Sequence, residues 1–215
     1  MHAIFRSGLA IASLGALILA PASVADAAST KVSVANLRGP LVNASFSVTD
    51  PSNCIETDTF VSANLPSYQQ LPSAPVTTGV ASVSIFEYDA CTDTTLMDAT
   101  GLTEALPAGS LQVSKQLDHA SLRMTLPMTD IDTGATFDVD VDVVWSGTSD
   151  IHRDDENSND FYGGGCHVLN RWKGSGRTAT ASGTVSDGVT NYTPDATQDG
   201  EIGYVIDGFE VIDCL

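Results

Sequence analysis

The chain has 215 residues, and 9 Lys+Arg against 27 Asp+Glu give a net charge of −18 and a pI near 4.1. That balance argues against nucleic acid, whose phosphates call for basic patches, and against adhesion to anionic membrane surfaces. An apolar content of 42% and a mean hydropathy of +0.06 exclude a disordered acidic tail and leave enough material for a core.

Residues 1–27 read as a secretory signal peptide. Arg6 supplies the positive start, Leu9–Ala20 is an unbroken small and apolar run, Pro21 breaks it, and Ala25-Asp26-Ala27 is an A-x-A cleavage site. A run of that length spans about 18 Å as a helix, short of the ~30 Å hydrocarbon core. The expected mature chain, 28–215, is secreted, extracellular or periplasmic, with no membrane insertion once the signal is cut. Of the 27 acids 21 are Asp, which favours turns, and few are Glu, which favours helices.

Period-2 alternation dominates the mature chain. It runs through Lys31–Ala35, Ala44–Val48, Val80–Phe86 and Leu122–Leu126, and is longest over Thr136–Trp145. There Phe137, Val139, Val141 and Val143 take one face and Asp138, Asp140 and Asp142 the other, the signature of a half-buried antiparallel strand. Turn signals separate the runs, and hairpins are expected over Thr178–Tyr192, closing at Asp187-Gly188, and over Glu201–Ile212, closing at Asp207-Gly208. Gly174-Ser175-Gly176, between Lys173 and Arg177, also reads as a turn. The best helical stretch, Asp98–Leu106, is short and stopped by Pro107.

The pattern predicts an all-β protein of antiparallel β-sandwich type with little helix, as two packed Ig-like halves. Leu106–Ser110 is the most linker-like stretch. It divides the mature chain into 28–108 and 109–215; the alternative is one large sandwich over 28–215. Ile151–Gly165, charged and Gly-terminated, reads as a long irregular loop, and loops of that length are functional or disordered.

Cys54 and Cys91 each follow a strand ending in Asp and precede a Thr/Asp-rich strand start. Equivalent turns at one end of adjacent hairpins predict a Cys54–Cys91 disulfide and, by elimination, Cys166–Cys214. No C-x2-C or Cys–His spacing supports a zinc site.

Candidate chemistry is sparse. No G-x-S-x-G is present, and His119, His152 and His167 are the only histidines after the signal. Asp130 and Asp132, and Asp195 and Asp199, resemble fragments of calcium loops, although neither completes the acidic pattern with Glu at position 12. Ca2+ is therefore the ion the acids favour, His152 and His167 flanking the expected loop are a weaker transition-metal alternative, and no organic cofactor is implied. His152, Asp154, Asp155, Phe161 and Tyr162, in the expected loop, form a candidate binding surface for a glycan or protein ligand. Trp145 and Trp172 read as core residues.

By Asp50–Val61 (DPSNCIETDTFV), Glu87–Thr95 (EYDACTDTT) and Ala181–Tyr192 (ASGTVSDGVTNY), the chain resembles uncharacterised secreted bacterial β-rich proteins with no assigned function. The resemblance implies fold and compartment and brings no catalytic residue. The sequence thus points to an exported, non-enzymatic binding or surface-associated module. The alternatives are a secreted glycan-acting hydrolase and a Ca2+-stabilised extracellular matrix protein.

Overall fold

A computed structural model describes residues 33–65, 79–162, 166–194 and 198–214. The export signal expected at 1–27 lies outside them, as does Asp195. The described chain is built from strands, without helix: β1 Ser33–Asp50, β2 Ile55–Asn64, β3 Val80–Asp89, β4 Thr94–Thr103, β5 Leu111–Val113, β6 His119–Asp130, β7 Thr136–Gly147, β8 His152–Tyr162, β9 Cys166–Ser186 and β10 Gln198–Cys214. Of Asp98–Leu106, the best helical stretch of the sequence, Asp98–Thr103 is part of β4.

All ladders between these strands are antiparallel, in the order β10-β1-β2-β3-β4-β6-β7-β9-β8. Because β10 pairs with β9 as well as β1, the sheet returns on itself through β1-β2-β3-β4-β6-β7-β9-β10. Walls facing each other across a shared interior are compatible with the expected sandwich. The ring is most thinly stitched between β4 and β6, which share only the pairs Ala99↔Asp130 and Thr100↔Thr129.

The alternation read in the sequence fills the interior. Val139, Val141, Val143 and Trp145 of β7 point inward, each no more than 2% exposed, and meet Phe46, Val61, Val83, Ile85, Leu126 and Ile202. Burying a side chain of this size stabilises by roughly 1.5–3 kcal/mol. The buried cluster draws on residues either side of position 108, and Leu106, inside the linker-like stretch, is itself in it. Asp138, Asp140 and Asp142 face outward, as alternation requires.

The disulfide expected between Cys54 and Cys91 is formed, with Cα atoms 5.6 Å apart. Its two turns are alike, in keeping with their matching sequences. Asp50 Oδ1 accepts from the Ser52 N–H at 2.9 Å, and Asp89 Oδ1 from the Cys91 N–H at 2.8 Å. Both carboxyls sit below the usual aspartate range because hydroxyl and backbone donors favour their charged form.

Three sequence expectations are corrected. The expected loop Ile151–Gly165 is mostly strand in its described part: His152–Tyr162 is β8, paired along its length with Cys166–Gly176 of β9. It is an edge strand, and charge on an edge strand blocks further pairing, so it lacks an alternating pattern. Gly174-Ser175-Gly176 is not a turn but lies inside β9. Asp207-Gly208 closes no hairpin; β10 continues through it, with a register shift against β9 between Val205 and Asp207. There the Asp-Gly signal accompanies a β-bulge. At Asp187-Gly188 the chain does turn, with Gly188 at φ 86° and the Tyr192 N–H returning to the Val185 carbonyl at 2.8 Å.

Candidate functional site

Where β8, β9, β10 and β1 lie side by side, the outward faces combine into a trough. Ile202, Val42 and Ala179 point into the core, so their neighbours point out. The register sets His152 opposite Gly176, Gly176 opposite Gly203, and Gly203 opposite Leu41. One step along, Asp154 stands opposite Gly174. On the other side Glu201 faces both Thr178 of β9 and Asn43 of β1. Side chains therefore rise from β8, Glu201 and β1 around a floor made of glycine.

The floor has little room to spare. A Cβ on Gly176 would stand 2.5 Å from Glu201 Oε1 and 3.0 Å from His152 Nε2, and one on Gly203 would stand 3.1 Å from the Leu41 side chain. Leu41, Asp154, Trp172, Glu201, Gly203 and Tyr204 line the resulting pocket. Trp172 is partly exposed there, against the expectation of a core residue, whereas Trp145 is fully buried and donates its indole N–H to the Asn43 carbonyl at 2.7 Å. That bond anchors β1 beside the trough.

Three ionisable groups converge at one end of the pocket. His152 Nε2 lies 3.3 Å from Asp154 Oδ2 and 3.8 Å from Glu201 Oε1. The Glu201 side chain is only 14% exposed, against 41% for His152 and 38% for Asp154. Burial pushes the Glu201 carboxyl above the usual range and the Asp154 charge acts in the same direction, while the Asn43 amide, donating to Oε2 at 3.5 Å, and His152 oppose them. Among the described residues this is the one group of three or more His, Cys, Asp or Glu side chains close enough to share an ion, with ligand atoms within 4.8 Å of one another.

The other residues singled out in the sequence fall elsewhere. Asp155 points away from the trough, with its carboxylate 3.7 Å from Lys173 Nζ. Phe161 and Tyr162 sit opposite His167 and Cys166, about 30 Å along β8 from His152. Asp130 caps the β6–β7 turn, accepting the Thr133 N–H at 2.7 Å, and Asp132 lies in that turn. Asp199 is exposed on β10. Cys166 and Cys214 are direct register partners at the far end of β9 and β10.

Sequence reasoning missed Glu201 and misplaced Trp172. The usable signal was glycine at matching positions of two strands, Gly174 and Gly176 beside Gly203, which opens an outer face that side chains would otherwise fill. Comparison of the chain with protein-family models, with curated proteins and with solved structures found no match.

Proposed function

We propose that the protein is an exported, non-enzymatic binding module whose ligand lies in the trough of β8, β9, β10 and β1, and that the ligand is a glycan. The observation that carries this reading is the glycine floor beside the partly exposed Trp172. Flat backbone lets a sugar ring approach closely, an aromatic face supplies stacking area, and Asp154 and Glu201 supply acceptors for hydroxyl donors. Export is supported by the signal pattern in 1–27 and by the Cys54–Cys91 disulfide, which persists in oxidising compartments. Inward valines and outward aspartates on β7 are the reverse of a lipid-facing barrel wall, which supports a chain that stays out of the bilayer.

One observation favours the hydrolase alternative. Asp154 and Glu201 place carboxylate oxygens within 4.8 Å, and the Glu201 carboxyl is raised, as a general acid requires. A carbohydrate array followed by calorimetry separates the readings. Binding without turnover is expected, and Trp172→Ala should weaken it about tenfold or more with the melting temperature retained. Wild-type affinity in that variant overturns the trough as the site. Hydrolysis that Glu201→Gln abolishes selects the enzyme.

A further inference from the structure

We propose that His152, Asp154 and Glu201 form a binding site for a first-row divalent cation of the Zn2+ type. Two donors each about 2.1 Å from a tetrahedral ion stand about 3.4 Å apart. The His152 Nε2 distances of 3.3 Å and 3.8 Å to the two carboxylate oxygens bracket that spacing. The Asp154 and Glu201 oxygens lie within 4.8 Å of each other, and rotation of the carboxylates toward the ion closes the set.

The backbone makes room for these donors independently of their charge. Gly176 lies beneath Nε2 and Oε1, and any larger residue would thrust its Cβ to 2.5 Å from the Glu201 oxygen. Asn43 holds Oε2, the oxygen not facing His152, so Oε1 is the one presented to an ion. A ligand carboxylate fixed by an outer hydrogen bond is a recurrent feature of metal centres. Side chains from β8 and β10, brought together across a glycine of β9, also fix the donors on rigid elements rather than on a loop.

The donor chemistry selects the class of ion. One imidazole nitrogen and two carboxylate oxygens suit Zn2+ and its neighbours, whereas Ca2+ takes six to eight oxygens and Mg2+ keeps an octahedral oxygen shell. Three protein donors would leave a coordination position open, next to the pocket that Asp154 and Glu201 help line. An ion held by both carboxylates takes them out of acid–base service, so this site excludes the two-carboxylate mechanism of the hydrolase alternative. Cation binding is read without any sugar, so it stands or falls apart from the glycan proposal.

The test is calorimetric titration of the tag-free, oxidised full chain with ZnCl2. One saturable equivalent is expected, with His152→Ala and Glu201→Gln each weakening it about 100-fold and Asn43→Ala about tenfold. Asp140→Asn, an acid on β7 outside the trough whose carboxylate accepts the Thr125 hydroxyl at 2.7 Å, should bind as the wild type does. Circular dichroism identifies any variant that has not folded. Co2+ added to the wild type provides a readout without mutation, through the intense visible bands of a tetrahedral N/O site. Absence of a stoichiometric equivalent in the wild type, or wild-type affinity in folded His152→Ala, overturns the proposal and leaves the trio as an ion-pair cluster.

Discussion

β7 and β10 both carry acids on the outer wall of the same ring, yet the two sets of acids end in different surroundings. On β7, Asp140 and Asp142 stand among neighbours with full side chains. Asp140 accepts from Thr125, and Asp142 pairs with Arg123 at 2.9 Å, the two side chains being 53% and 71% exposed. Such a pair contributes about 0–1 kcal/mol, and the acids serve mainly to keep that face wet. On β10 the outward neighbours of Glu201 include Gly176 and Gly203, the wall sinks, and the carboxylate is left 14% exposed beside His152. Alternation decides which face an acid takes. Glycine on the adjoining strands decides whether that acid is solvated or enclosed.

Trp145 joins the two walls, so its removal should break both at once. The indole is buried under the β7 wall, and its N–H holds the Asn43 carbonyl under the trough. Trp145→Ala leaves a cavity and an unpaired carbonyl, and a loss of about 3–5 kcal/mol is expected in urea unfolding. A loss under about 1 kcal/mol would mean that the walls are energetically separate. The next largest effect tests the two ends of the sheet. Opening the 37-residue Cys54–Cys91 loop by Ser replacement should cost about 4 kcal/mol on the chain-entropy model. At the other end, the Cys166↔Cys214 register meets the backbone requirement for a second bridge. Unreduced protein should then show no thiol reactive to Ellman's reagent after unfolding, whereas two thiols would confine cross-linking to the Cys54–Cys91 end.

The regular wall was legible in the sequence, and the trough was not. Phe137 to Val143 announces its own orientation because apolar and acidic residues alternate without interruption, and the Cys54 and Cys91 turns could be matched because their Asp caps and strand starts repeat. Around the trough each local signal has two meanings. Asp207-Gly208 suits a tight turn or a bulge, and Gly174-Ser175-Gly176 suits a turn or a floor. The run His152–Tyr162 lacks alternation because an edge strand need not bury one face. Only partner strands resolve such cases, and Glu201 comes beside His152 through ladders far apart in sequence. Cross-strand placement of that kind leaves no local periodicity to read.

The smallest effect separates a third setting of the acids, the turn caps, from the enclosed position. Asp187, exposed in the turn after β9, accepts the Thr190 N–H at 2.7 Å, the Val189 N–H at 2.8 Å and the Tyr192 hydroxyl at 2.9 Å. The backbone donors of Thr190 and Val189 lead in holding its carboxyl below the usual range. The folded chain thus binds fewer protons there than the unfolded chain does. Its stabilising contribution is complete above the ordinary aspartate pKa of about 4 and fades as pH falls through the lowered value. Glu87 of β3 has the opposite sign: burial lifts its carboxyl, and the Asp187 charge adds to the shift. The native state then holds the extra proton, and stability falls as pH rises from the ordinary glutamate range through the raised value. Thermal unfolding between pH 3 and 7 should accordingly find that Asp187→Asn flattens the acid side of the profile, whereas Glu87→Gln raises the neutral side. Parallel changes in the two variants would show that net charge, rather than the local donors and burial, governs the acids of this wall.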